Sequence, residues 1–161
     1  MRHGRAEAFA AEDHRRRLTE RGRREATAAG EWLAERGFVP TDAFVSSATR
    51  TRQTWKALVA GTGTSAEARV EDAVYSADAD SALDVLREAP PEAQVVLYVG
   101  HNPTAASLAY LLDDGDPDPE AFRAMSAGFP TAAIAVLEIS VPWAELDAAT
   151  GHLVAFYFSQ G

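Results

Sequence analysis

"QVVLYVGHNPT", residues 94–104, decides how this chain is read. Val95 to Val99 form an unbroken apolar run, the pattern of a short strand covered on both faces, which belongs to a parallel sheet flanked by helices. The run stops at Gly100, His101 follows, and Thr104 opens an apolar helical stretch. A strand passing through a loop into a helix is the repeating unit of an α/β fold, and its carboxyl edge is where such folds bind ligands.

Working outward, two further segments have the same form. "DAFVSS" (42–47) is a strand that leads into "TRTRQTWKALVAG" (49–61), a helix whose Trp55, Leu58 and Val59 face the core. "RHG" (2–4) stands where a buried first strand ends, and "LTERGRREATAAGEWLAERG" (18–37) then forms a surface helix with Ala26, Ala29 and Leu33 inward and Gly37 as its left-handed cap. "ARVEDAVY" (68–75) reads as a third strand, and "DSALDVLREAPP" (80–91) as a helix capped near Asp80 or Ser81 and stopped by Pro90 and Pro91. "AAIAVLEISV" and "HLVAFYF" are β-rich runs around Asp147, Thr150 and Gly151, which predicts an antiparallel pair and hence a mixed sheet. Asp118 and Pro119 start a short helix within the acidic stretch "DDGDPDPEAF", whose prolines and missing closing glutamate exclude a calcium loop.

The composition narrows the function. The chain has 161 residues, 47% of them hydrophobic, enough for one core, and the expectation is a single domain over residues 1–161. Without cysteine there are no disulfides, thiolate metal sites or cysteine nucleophiles. No apolar run approaches the roughly 20 residues of a membrane span, and a cytoplasmic protein is expected. A formal charge of -9 argues against nucleic acid and anionic lipid as partners, so phosphate recognition must rest on a local basic cluster. "GTGTS" lacks the lysine of a nucleotide-binding loop, and His3, His14, His101 and His152 have no metal-ligand spacing.

If the three strand ends converge, Arg2, His3, Arg50 and His101 meet in one anion-binding pocket. Guanidinium groups donate paired hydrogen bonds to phosphate oxygens, and an imidazole locked in one tautomer can attack phosphorus. No metal or other cofactor is required, because the arginines supply the charge stabilisation, and Gly4 lets the backbone come close. Tyr75 reads most simply as a core residue.

"RHG", "LTERGRREA", "SSATRTRQT" and "VGHNP", in that order, resemble the histidine phosphatase superfamily, which includes the phosphoglycerate mutases, and most of all its compact SixA-type phosphohistidine phosphatases. The resemblance implies a three-layer α/β/α fold with a mostly parallel, mixed central sheet of phosphoglycerate mutase-like form. It implies that His3 is the nucleophile that becomes phosphorylated, with Arg2, Arg50 and His101 clamping the transferred group. An arginine ahead of "LT" would join them, which points to Arg16, with Arg17 adjacent. The substrate expected is phosphohistidine in a protein; the alternatives are a small phosphate ester and a phosphate-binding module without catalysis. Ester-cleaving members place an acid after the third strand, here Glu71 or Asp72. The family also sets several apolar residues ahead of "RHG" as a central strand, where only Met1 stands here, so either upstream residues are missing or the start is shifted.

Overall fold

The computed structural model describes residues 1–160 and runs α1 (Glu20–Glu35), β1 (Asp42–Ser46), α2 (Thr49–Thr62), β2 (Ala68–Glu71), α3 (Asp72–Tyr75), α4 (Ala79–Arg87), β3 (Val96–Val99), α5 (Thr104–Leu112), α6 (Pro119–Ala127), β4 (Ile134–Ile139) and β5 (Gly151–Tyr157). β1 lies between β2 and β3, parallel to both. Successive side chains of a strand point to opposite faces. Ala43, Val45, Leu97 and Val99 therefore pack against Ala26, Ala29 and Leu33 of α1 and Leu58 of α2. Phe44 and Tyr98 meet Val74, Ala82, Leu83 and Leu108 on the other side, under α3, α4 and α5. This is the expected three-layer arrangement.

The helices form where the sequence places them, with local corrections. α1 starts at the cap Thr19, whose side chain accepts from the Gly22 amide, and Gly37 takes φ +75° just past its end. α1 and α2 approach closely because both carry glycine at the crossing. A Cβ on Gly61 would lie 2.1 Å from the Thr27 carbonyl oxygen, and one on Gly30 would lie 2.4 Å from that of Leu58. Within α2, Leu58 is fully buried and Trp55 packs partly on the core, whereas Val59 is only half-buried.

Two expected boundaries are wrong. The strand expected over 68–75 ends at Glu71, and Asp72–Tyr75 turn into α3, because Val74 is drawn into the core beside Phe44 and Leu83. The helix expected from Asp80 or Ser81 begins at Ala79, with Asp78 as cap, since the Asp78 carboxylate accepts from the Ser81 amide.

The antiparallel pair β4–β5 forms as expected but makes a sheet of its own. Among the described residues, Met1–His3 join the two sheets through backbone hydrogen bonds. Arg2 bridges Gly100 in the parallel sense, its amide donates to the Ala133 carbonyl, and the Ala132 amide donates to the His3 carbonyl. Beyond Met1 the facing edges of β3 and β4 diverge around a cleft of about 700 Å³, lined by Leu97, Tyr98, Ile134, Val136 and Trp143 among others. The α-amino group of Met1 sits at its head, donating to the Tyr98 carbonyl at 2.8 Å, and burial pushes its pKa down to about 5.

Candidate active site

The site lies where β1, β3 and the Met1–His3 segment end. At the end of β1 the chain turns into α2 through "SSATRT", and Thr51 pins the turn, its hydroxyl bonding the Ser46 and Ala48 carbonyls at 2.8 Å each. Arg50 thereby falls in the first turn of α2, where the helix dipole favours an anion. Thr54, one turn on, bonds the Arg50 carbonyl at 2.7 Å and accepts the Gly4 amide at 2.9 Å, tying the residue after His3 to the helix that carries Arg50.

His3 is buried, its amide on the Gly100 carbonyl at 3.0 Å. Its Nδ1 lies 2.7 Å from the Gly4 carbonyl oxygen. A carbonyl can only accept, so Nδ1 carries the proton and, in the neutral ring, the lone pair is on Nε2. Burial above all, with Arg50, Arg2 and Arg16 adding repulsion, lowers the His3 pKa to about 4.

His101 follows β3, with its ring centroid 5.3 Å from that of His3. Its Nδ1 lies 3.2 Å from Arg50 Nη2, which can only donate, and its Nε2 lies 2.7 Å from Ser46 Oγ. The ring is thus neutral with its proton on Nε2. Burial, then Arg50, lowers its pKa to about 3.

Three guanidinium groups surround the pair. Arg2 donates from Nη1 to the Phe129 carbonyl at 3.0 Å, and Asn102 Nδ2 shares that acceptor. Arg50, whose side chain is 6% exposed, donates from Nη1 to the Asp13 carbonyl and from Nη2 to Asp13 Oδ2. Arg16 places Nε 3.0 Å from Asp13 Oδ1 and bonds the Glu7 carbonyl through Nη1. The Nε atoms of Arg2 and Arg50 are buried without a hydrogen-bond partner, while that of Arg16 is held by the Asp13 carboxylate. Buried donors are ordinarily satisfied, so two orphans beside two neutral imidazoles make a site built for an anion.

Of the predicted residues, Arg2, His3, Arg50 and His101 come together, and Arg16 joins them while Arg17 stays exposed on the surface. Gly4 lets the backbone come close, here to α1. Its amide is spent on Thr54, and a Cβ there would lie 2.8 Å from the Gly22 carbonyl oxygen, so the glycine lets the loop pack on α1. Glu71 is turned to Arg69 at 3.4 Å, and Asp72 is exposed at the start of α3. Neither is bonded to His3, Arg50 or His101 among the described residues.

Sequence reasoning missed Asp13 and misread Tyr75. The Tyr75 ring stands edge-on to His101 at 5.5 Å and to His14 at 4.9 Å, and its hydroxyl donates to Asp13 Oδ2 at 2.9 Å. It therefore lines the site rather than the core. The signal for Asp13 was its place three residues ahead of Arg16, within ion-pairing reach on a helical turn.

A parallel α/β sheet with cations and imidazoles at its carboxyl edge defines a phosphate-handling enzyme of the α/β class. The profile of the histidine phosphatase superfamily (branch 1) matches residues 1–74. An uncharacterized protein of Mycobacterium leprae is 34% identical over 145 residues, spanning 90% of this chain and 88% of that one. The structure of a candidate SixA phosphohistidine phosphatase from Nakamurella multipartitia superposes with a TM-score of 0.85 at 36% identity, covering 100% of this chain and 94% of that one. A protein histidine phosphatase SixA solved with tungstate gives a TM-score of 0.78 at 25% identity, covering 97% and 92%. The chain belongs to the histidine phosphatase superfamily and is a phosphatase with the phosphoglycerate mutase-like fold. Among the described residues no helix is long and apolar enough to cross a membrane.

Proposed function

We propose that this phosphatase removes phosphate from phosphohistidine in a protein, by way of phosphorylated His3. The observation that carries the reading is the locked His3 tautomer, its Nε2 lone pair beside three arginines, of which Arg2 and Arg50 keep a buried Nε donor unpaired. Arg2, Arg16 and Arg50 hold the phosphoryl oxygens. Nε2 of His3 attacks phosphorus as the bond to the substrate imidazole nitrogen breaks; that nitrogen keeps the electron pair, and the substrate ring, protonated at its other nitrogen, leaves as neutral imidazole. Negative charge bound beside His101 draws a proton from solvent onto Nδ1, which gives up its contact with Arg50 Nη2 and donates a hydrogen bond to the group in transfer. Water then attacks phospho-His3, returning the neutral imidazole and releasing inorganic phosphate.

The leaving group is argued from Asp13, the carboxylate that touches the site. The Tyr75 hydroxyl above all, then Arg50 and Arg16, hold it below the usual carboxylate range, so at neutral pH it is ionised and has no proton to give. An alkoxide departs poorly without a proton donor, whereas imidazole departs readily. The test compares a phosphohistidine peptide with an alkyl phosphate as substrates of the parent, Glu71→Gln and Asp72→Asn. The reading expects faster turnover of the peptide, indifferent to both substitutions. A parent enzyme that prefers the ester, and loses it in either variant, would instead be a phosphomonoesterase with a carboxyl donor.

A further inference from the structure

Arg50 carries its charge on a side chain that could turn either edge to a ligand, so something must fix which edge it presents. Asp13 meets the Nη1–Nη2 edge twice, accepting Nη1 on its backbone carbonyl at 2.9 Å and Nη2 on Oδ2 at 3.1 Å. Nη2 also donates to His101 Nδ1 at 3.2 Å, and the buried Nε is the Arg50 nitrogen without a partner. The same carboxylate places Oδ1 3.0 Å from Arg16 Nε and accepts the Tyr75 hydroxyl on Oδ2. One anionic side chain, itself 56% exposed, therefore joins two arginines and the tyrosine that flanks His101.

We propose that Asp13 is a positioning residue for phosphate binding: its oxygens chelate the outer edge of Arg50 and keep the Nε edge turned toward the anion site, with Tyr75 holding the carboxylate in place. Between two cations that otherwise repel each other, the carboxylate also lets Arg16 and Arg50 stay close before substrate arrives. Asp13 touches neither phosphorus nor the leaving group. This inference rests on the site reading above.

The test uses Asp13→Ala, Asp13→Asn and Tyr75→Phe in the full chain, with tungstate affinity by calorimetry, steady-state kinetics on a phosphohistidine peptide, and the Arg50 Nε–Hε signal by NMR. Asp13→Ala should weaken tungstate binding and raise KM by about tenfold or more, with kcat falling no more than about threefold, the split expected when a binding contact is lost. Asn, which keeps an oxygen for Arg50, should recover most of the affinity, and Tyr75→Phe should raise KM about two- to threefold, the size of one exposed hydrogen bond. The Arg50 Hε signal should be sharp in the parent and the Asn variant and broadened in the Ala variant, a readout that general destabilisation leaves unmoved. Unchanged or tighter tungstate binding by Asp13→Ala would overturn the proposal, as would an Asn variant as impaired as Ala. Failure of the parent to bind tungstate at all would instead sink the site reading.

Discussion

The imidazoles of His3 and His101 stand 5.3 Å apart, centroid to centroid, with planes tilted by 56°, and each is held neutral by a different partner. His3 donates its Nδ1–H to the Gly4 carbonyl, and His101 donates its Nε2–H to Ser46 Oγ. Two neutral rings beside three guanidinium groups form a site that stays free of further positive charge until an anion arrives.

Proton uptake on anion binding follows. With pKa values lowered to about 4 and about 3, both rings are neutral at pH 6 in the free protein. A bound dianion favours the charged forms and raises both values, so binding takes up protons. Calorimetry of tungstate binding at pH 6, in buffers of different ionisation enthalpy, should show net uptake that shrinks by pH 8. Absence of uptake at pH 6 would show that neither imidazole answers to the anion.

Loss of His101 should be felt mainly in kcat. Removing one preoriented donor to a group in transfer costs about 10²- to 10³-fold. His101→Ala is therefore expected to lower kcat of the phosphohistidine peptide by that amount while circular dichroism shows the fold intact. A decline of less than about threefold would remove His101 from the chemistry.

The crossing of α1 and α2 is a test of packing. Because a Cβ at position 61 would meet the Thr27 carbonyl at 2.1 Å, Gly61→Ala forces the helices apart, and overpacking of this kind costs about 1–3 kcal/mol. Urea denaturation should show that loss, whereas Gly37→Asn, at an open left-handed cap, should change stability by less than about 1 kcal/mol.

Legibility in the sequence divides along physical lines. The apolar run at 95–99 and the motif glycines and histidines are local features, and they predicted β3, the parallel sheet and the meeting of His3 with His101. The β2–α3 boundary was not local, since Val74 turns inward only because Phe44 and Leu83 wait there. Tyr75 inherited that error. The split between the sheets was invisible for a related reason: strand periodicity gives each run a face but not a neighbour, and Met1–His3 is too short to show how far it reaches. Asp13 lies in a polar, arginine-rich stretch where an acid that binds Arg50 across 37 residues looks the same as a solvated one.

The most direct measurement is to expose the protein to a reactive phosphodonor, trap the phosphoprotein, and compare the parent with His3→Ala. The account predicts one acid-labile, alkali-stable phosphoryl group per chain, mapped to His3 and absent from the variant. A parent protein that hydrolyses phosphohistidine without ever carrying the label, or a variant that carries it as well, would contradict attack by the His3 Nε2.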